Sequence, residues 1–134
     1  FIESIRELAK TIRVRHGFDV TVNTIGDFVW LTNEQEHVLY RIVQEALQNG
    51  ARHAKPTNIH VTIQVSDDTL RLSIADDGKG FNPSMVKMDG HFGIQGMRER
   101  AQLIGAQLTI LSEIGQGTSV VINFERTSDE NSYL

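Results

Sequence analysis

The stretch IHVTIQVSDDTLRLSIADDGKGF, Ile59 to Phe81, decides how this 134-residue chain folds. Ile59, Val61, Ile63 and Val65 alternate with polar residues, the period of a strand with one buried face. Ser66-Asp67-Asp68 is a turn signal, after which Leu70, Leu72 and Ile74 resume the alternation. Two such runs joined by a short polar turn form a β-hairpin, so this part of the sheet is antiparallel. The pattern then breaks into Asp76-Asp77-Gly78-Lys79-Gly80, an acid at the strand end followed by two glycines, which admit backbone angles closed to other residues.

Outward from the hairpin, RIVQEALQNGARHA (Arg41 to Ala54) belongs to a helix whose apolar face is Val38, Leu39, Ile42, Val43, Ala46 and Leu47. Thr32 or Asn33 caps its start, and Pro56 ends it near Ala54. Before it, Phe1, Ile2, Ile5, Leu8, Ala9 and Ile12 recur at helical spacing up to a stop at Gly17. Phe18, Val20 and Val22 read as a strand, and a short apolar stretch runs from Phe28 to Leu31. On the other side, residues 82–92 have no period and read as a mobile loop. A helix follows from about Ile94 to Leu103, stopped by Gly105. Leu108 and Ile110 mark a strand, Gly115-Gln116-Gly117 a turn, and Val120, Ile122 and Phe124 a final strand. Residues 126–134 are a polar tail. The expected fold class is α+β: a two-layer sandwich, its mixed, mostly antiparallel sheet covered on one face by helices.

Bulk properties narrow the function. Apolar residues make up 40% and charged residues 22% of the chain, as in an ordinary globular domain. A net charge of −4 argues against a nucleic-acid binder, and the lack of cysteine excludes disulfide and thiolate chemistry. No apolar run approaches the roughly 18 residues that span a bilayer. The chain opens at Phe1 rather than Met, which suggests a piece of a longer protein.

Four stretches carry chemistry. Glu45, Asn49 and His53 recur every four residues, so a regular helix would point them in one direction, with Arg52 beside them. An amide oxygen suits a hard cation, a carboxylate one turn away suits proton transfer or water orientation, and a guanidinium suits phosphate. Asp76, leaving the sheet at its end, suits an exocyclic amine. In GHFGIQGMRERA (Gly90 to Ala101), Gly93 and Gly96 bracket a helix start whose free N–H groups attract phosphate. This is neither a Walker A motif nor a Rossmann fingerprint. GQGT, Gly115 to Thr118, reads by itself as a hairpin turn. His16, His37 and His60 occupy surface positions without metal-site spacing.

Taken in order, these motifs resemble the ATP-binding domain shared by sensor histidine kinases, DNA gyrase, the MutL ATPases and the ninety-kilodalton heat-shock chaperones. This is the GHKL group with its Bergerat-type fold. QEALQNGARHA, DDGKGF and GHFGIQGMRERA together look most like the NarL/DesK-type bacterial histidine kinases. The resemblance implies ATP and Mg²⁺ as ligands. It gives Asp76 the adenine amine, aided by a water near Thr118, and gives Gly78 and Gly80 the pocket floor. Asn49 would hold Mg²⁺, Arg52 would contact phosphate, and His53 would lie against ribose or adenine. Gly93, Ile94, Gly96 and Met97 would close over the phosphates, with residues 82–92 as a lid. Glu45 falls at the position of the catalytic base in hydrolysing relatives.

The implied organisation is a linker helix (1–16) from a missing dimerisation domain, the ATP-binding catalytic domain (17–125) and the tail (126–134). The phosphoacceptor histidine would lie on that dimerisation domain, in a homodimeric protein that signals to a response regulator. This domain itself would be cytoplasmic, without membrane contact, in a protein anchored to the membrane. The alternatives are a gyrase- or MutL-type ATPase, an anti-sigma-factor serine kinase of the same fold, and a non-catalytic nucleotide-sensing or docking module.

Overall fold

The computed structural model describes residues 1–26, 30–56, 58–82 and 93–126, except the side chains of His53 and Ala54. Among the described residues, helices α1 (Ile2–His16), α2 (Asn33–Asn49) and α3 (Ile94–Leu103) pack on strands β1 (Asp19–Ile25), β2 (Asn58–Val65), β3 (Thr69–Asp76), β4 (Gln107–Glu113) and β5 (Gly117–Glu125). The sheet order is β1-β2-β3-β5-β4. β1 runs parallel to β2 through the α2 crossover, and every other neighbouring pair is antiparallel. The mixed, mostly antiparallel sheet read from the sequence is therefore the sheet observed.

Local chemistry accounts for the element ends. Gly17 ends α1 in the left-handed conformation (φ 77°), and its N–H donates to the Arg13 carbonyl. Thr32 starts α2 with a reciprocal capping box: its hydroxyl accepts from Gln35 N–H at 3.1 Å, and Gln35 Oε1 accepts from Thr32 N–H at 2.9 Å.

The core lies between the helices and one face of the sheet. Ile5, Leu8, Ala9 and Ile12 of α1 are buried there, so this helix forms part of the domain's own apolar layer. Leu39, Ile42, Val43 and Leu47 of α2 meet Val61, Ile63, Leu72 and Ile122 from the sheet, all but fully shielded from solvent. Each large side chain so buried contributes about 1.5–3 kcal/mol of transfer free energy. The opposite sheet face carries polar residues such as His60, whose ring nitrogen lies 2.7 Å from Thr21 Oγ1. His16 and His37 are exposed, as their spacing predicts.

At one end of the sheet Trp30 is buried, donates from Nε1 to the Ser66 carbonyl at 2.8 Å, and lies beneath the Arg126 guanidinium. The preceding residues 27–29, which hold part of the expected apolar stretch, are outside the described structure, as are the loop residues 83–92 and the tail residues 127–134.

One expectation needs correction. The long helix does not continue regularly to Ala54. It is α-helical through Asn49 and then widens into a π-helical turn, Gly50–Ala54. The widening begins at glycine, whose preference for the α-turn is the weakest after proline. Such turns bond i to i+5 instead of i to i+4. The regular four-residue spacing therefore holds between Glu45 and Asn49, and the backbone that follows takes the wider turn.

Candidate functional site

On β3, β5 and β4 the inward face is apolar row after row until the last one. Register pairs Ile59 with Asp76, Asp76 with Thr118, and Thr118 with Ser112. Strand alternation puts them on the same face as Ile74, Val120 and Ile110. The end of the core is thus a polar row facing the junction of α2 with its π-turn.

Asp76 is fixed by main-chain donors. Its Oδ1 accepts from Gly78 N–H at 2.9 Å and from Thr118 N–H at 3.3 Å. Burial holds the carboxyl above the ordinary carboxylate value; the two N–H bonds pull it back, and the neighbouring Asp77 charge pushes it further up. Gly50 faces it from the helix. A β-carbon there would come within 2.9 Å of Ile59 Cδ1 and 3.7 Å of Asp76 Oδ2. Glycine inside this helical segment costs about 1 kcal/mol relative to alanine. What it allows is close approach of the helix backbone to the sheet end.

Two glycine turns stack beside this row. Gly80 (φ 63°) lies against the carbonyls of Glu113 and Gly117, and Gly117 (φ 85°) lies against the carbonyl of Asp76. Gly115 N–H donates to the Lys79 carbonyl at 2.6 Å. Ser112 joins the same stack. Its hydroxyl accepts from Phe81 N–H at 2.8 Å and lies 2.7 Å from Thr118 Oγ1.

Between these elements is a pocket. Ile59, Ile74 and Val120 form its apolar floor, Asn49 and Gly50 one wall, and Lys79, Gly80 and Phe81 its rim. Ile94 and Met97 of α3 close it from the side, and Asp76 and Thr118 supply polar groups at the base. Such an arrangement takes a flat apolar ligand and orients it by a few polar contacts.

The structure brings most of the predicted residues together. Asn49, Asp76, Gly80, Ile94, Met97 and Thr118 all line this pocket, and Gly78 fixes Asp76 from the adjoining turn. Glu45 is half-buried one turn before Asn49 and lies against Gly93, which starts α3 at φ 59°. Gly96 lies within the first turn of α3, beside Arg100. Arg52 is exposed on the π-turn and does not line the pocket. The side chain of His53 and the lid residues from 83 to 92 lie outside the described structure.

Sequence reasoning missed Ser112, Lys79 and Phe81. Continuing the alternation of Leu108 and Ile110 by two residues would have placed Ser112 on the inward face. Among the described residues no three His, Cys, Asp or Glu side chains form a metal cage, and no helix is long and apolar enough to cross a membrane.

Comparison with known proteins agrees with the motif reading. Residues 34–128 match the family described as histidine kinase-, DNA gyrase B-, and HSP90-like ATPase. Over 129 residues the chain is 35% identical to the signal transduction histidine-protein kinase/phosphatase DegS of Brevibacillus brevis, covering 96% of this chain and 33% of DegS. Over 120 residues it is 35% identical to the sensor histidine kinase LiaS of Bacillus subtilis, covering 90% of this chain and 32% of LiaS. The chain therefore spans about a third of the length of these curated relatives.

Among solved structures, the histidine kinase domain of the blue-light activated histidine kinase from Erythrobacter litoralis EL346 matches with a TM-score of 0.73 at 25% identity, over 95% of this chain and 61% of that one. The catalytic domain of the histidine kinase ThkA matches with a TM-score of 0.76 at 13% identity, over 96% of this chain and 93% of that one, a likeness of fold alone.

Proposed function

We propose a function on the premise that the chain belongs to the histidine kinase-, DNA gyrase B-, and HSP90-like ATPase family. It is the ATP-binding catalytic domain of a NarL/DesK-type sensor histidine kinase. The observation that carries this reading is the Asp76 carboxylate, held by two main-chain N–H groups at the base of an apolar pocket. A fixed acceptor there selects the exocyclic amine of a flat base, and adenine supplies one.

The roles of the other residues follow from their places. Thr118 adds a second polar contact beside Asp76, and Gly78 and Gly80 shape the turn beneath the base. The start of α3, from Gly93 through Ile94, Gly96 and Met97, receives the phosphates at a helix N-terminus. Arg52 would contact phosphate and His53 would meet the ribose or adenine, as the motif resemblance implies. Mg²⁺ fits the donor set, because this ion takes few protein ligands and completes its shell with phosphate oxygens and water. Asn49, whose amide oxygen is buried at the pocket, would hold it. Once bound, the ion neutralises charge on the phosphates.

The reaction breaks the bond between the γ-phosphorus and its bridging oxygen and forms a phosphorus–nitrogen bond to a histidine on a dimerisation domain. Glu45 would orient that acceptor or take its proton. Residues 1–16 connect this domain to the dimerisation domain in a homodimer, and a response regulator receives the phosphoryl group. The domain works in the cytoplasm.

Calorimetric titration of the chain with ADP and with a non-hydrolysable ATP analogue, with and without Mg²⁺, tests this. Magnesium-dependent binding is expected. No binding by a folded chain would overturn the proposal in favour of a docking module.

A further inference from the structure

We propose that Ser112 is a positioning residue that fixes Thr118 as a hydrogen-bond acceptor and so sets which purine the pocket takes, an inference that rests on Asp76 and Thr118 receiving the base. Ser112 does not line the pocket, whereas Thr118 does, and their hydroxyl oxygens are 2.7 Å apart. Three contacts meet at Ser112 Oγ: Phe81 N–H at 2.8 Å, Thr118 Oγ1 at 2.7 Å and the Gly117 carbonyl oxygen at 3.2 Å.

A serine hydroxyl has one proton and two lone pairs. The Phe81 N–H takes one lone pair. The Gly117 carbonyl only accepts, so it receives the Ser112 proton. The contact with Thr118 is then a hydrogen bond only if Thr118 donates. A single assignment satisfies all three contacts: Thr118 donates to Ser112, and Ser112 donates to Gly117. With its proton directed away, Thr118 turns lone pairs toward the pocket.

Asp76, when ionised, is acceptor-only as well. The polar row therefore presents acceptors alone, and where the base meets it directly it selects a ligand group that donates an N–H. A 6-amino purine has that group. A 6-oxo purine sets a carbonyl oxygen against the same lone pairs, a mismatch of acceptor with acceptor. Without Ser112 the Thr118 proton is free to turn inward, and the mismatch is relieved.

The test is titration calorimetry of the whole chain with ADP and with inosine diphosphate, on the unaltered protein, Ser112→Ala, Thr118→Val and the double variant. Thermal melts establish that each variant is folded; Ser112→Cys replaces Ser112→Ala if the latter is not. Ser112→Ala is expected to weaken ADP binding about three- to tenfold, the worth of one hydrogen bond, while inosine diphosphate changes less, so the preference for ADP falls. Ser112→Thr, which restores the hydroxyl, is expected to recover the preference. In the Thr118→Val background the Ser112 change is expected to leave the preference unaltered, because the effect passes through Thr118.

An unchanged preference in Ser112→Ala would overturn the proposal, including the case where both nucleotides weaken equally through loss of structural support. So would a Ser112 effect that persists without the Thr118 hydroxyl. If Asp76→Asn loses ADP while Ser112→Ala keeps the preference, the nucleotide site stands and the role of Ser112 does not. No ADP binding by the unaltered chain overturns both.

Discussion

The carboxylate of Glu45 lies directly against the main chain of Gly93, where a β-carbon would come within 2.8 Å of Glu45 Cδ. This contact joins α2, one turn before Asn49, to the residue that starts α3. Gly93 is restricted twice, by its left-handed backbone (φ 59°) and by the carboxylate above it.

Gly93→Ala is therefore expected to lose stability from two sources. The left-handed conformation costs a β-carbon about 1–2 kcal/mol, and displacement of Glu45 adds to that. In a Glu45→Ala background only the conformational part remains. Urea denaturation of the single and double variants measures the difference. Equal costs in the two backgrounds would show that the side chain yields freely and does not fix the start of α3.

Asp76→Asn is expected to leave the fold intact and to weaken ADP binding by roughly tenfold to a hundredfold, the range for a hydrogen bond to a charged group. Burial raises the folded-state pKa of Asp76 above its unfolded value, so between those values the folded chain binds more protons. The stability Asp76 contributes is thus fully present below the ordinary carboxylate value and is lost as pH rises through the raised one. The variant should consequently match or exceed the parent in stability at neutral pH. ADP affinity of the parent should fall as pH drops through the raised value, since the ionised form accepts the amine. Denaturation and calorimetry across acid to neutral pH check both signs; a pH-independent affinity would remove Asp76 from the ligand.

Asn49→Ala is expected to weaken magnesium-loaded ATP analogue binding much more than metal-free binding. Equal losses in paired titrations would take Asn49 away from the cation and leave it a structural role at the end of α2.

Gly115 and Gly117 offer a comparison within one turn. Both have positive φ, 84° and 85°, but a β-carbon at Gly115 meets open space while one at Gly117 runs into the Asp76 carbonyl. Gly115→Ala is expected to cost about 1–2 kcal/mol from conformation alone. Gly117→Ala should cost more, because main chain rather than a side-chain tip must move, and should also weaken ADP binding by shifting Asp76. Similar costs in denaturation would show that the two turns are not stacked in solution.

Much of this molecule follows from local pattern. The alternation of Ile59 to Val65 and Leu70 to Ile74 is a period-two property of contiguous residues, and the observed strands begin and end within a residue or two of it. Gly17 and the Thr32 box are likewise legible, since caps are made by neighbours in sequence. The order of the motifs also led to the family, because the chemistry-bearing residues sit at element ends that local pattern locates.

Other features depend on contacts between distant residues, and only the tertiary structure decided them. The seventeen-residue α2 gives way to a π-turn at Gly50, so the regular helical spacing that starts at Glu45 stops at Asn49. Gly50 is explained by Ile59 and Asp76, Gly117 by the Asp76 carbonyl, and Gly93 by Glu45. Ser112 acquires its place only when β4 pairs with β5 and sets it beside Thr118. By itself the sequence determined which faces are apolar and where elements stop, because burial and capping act over a few residues. Which polar groups meet at the end of the core was decided by strand register and by the close approach of backbones, which no local period encodes.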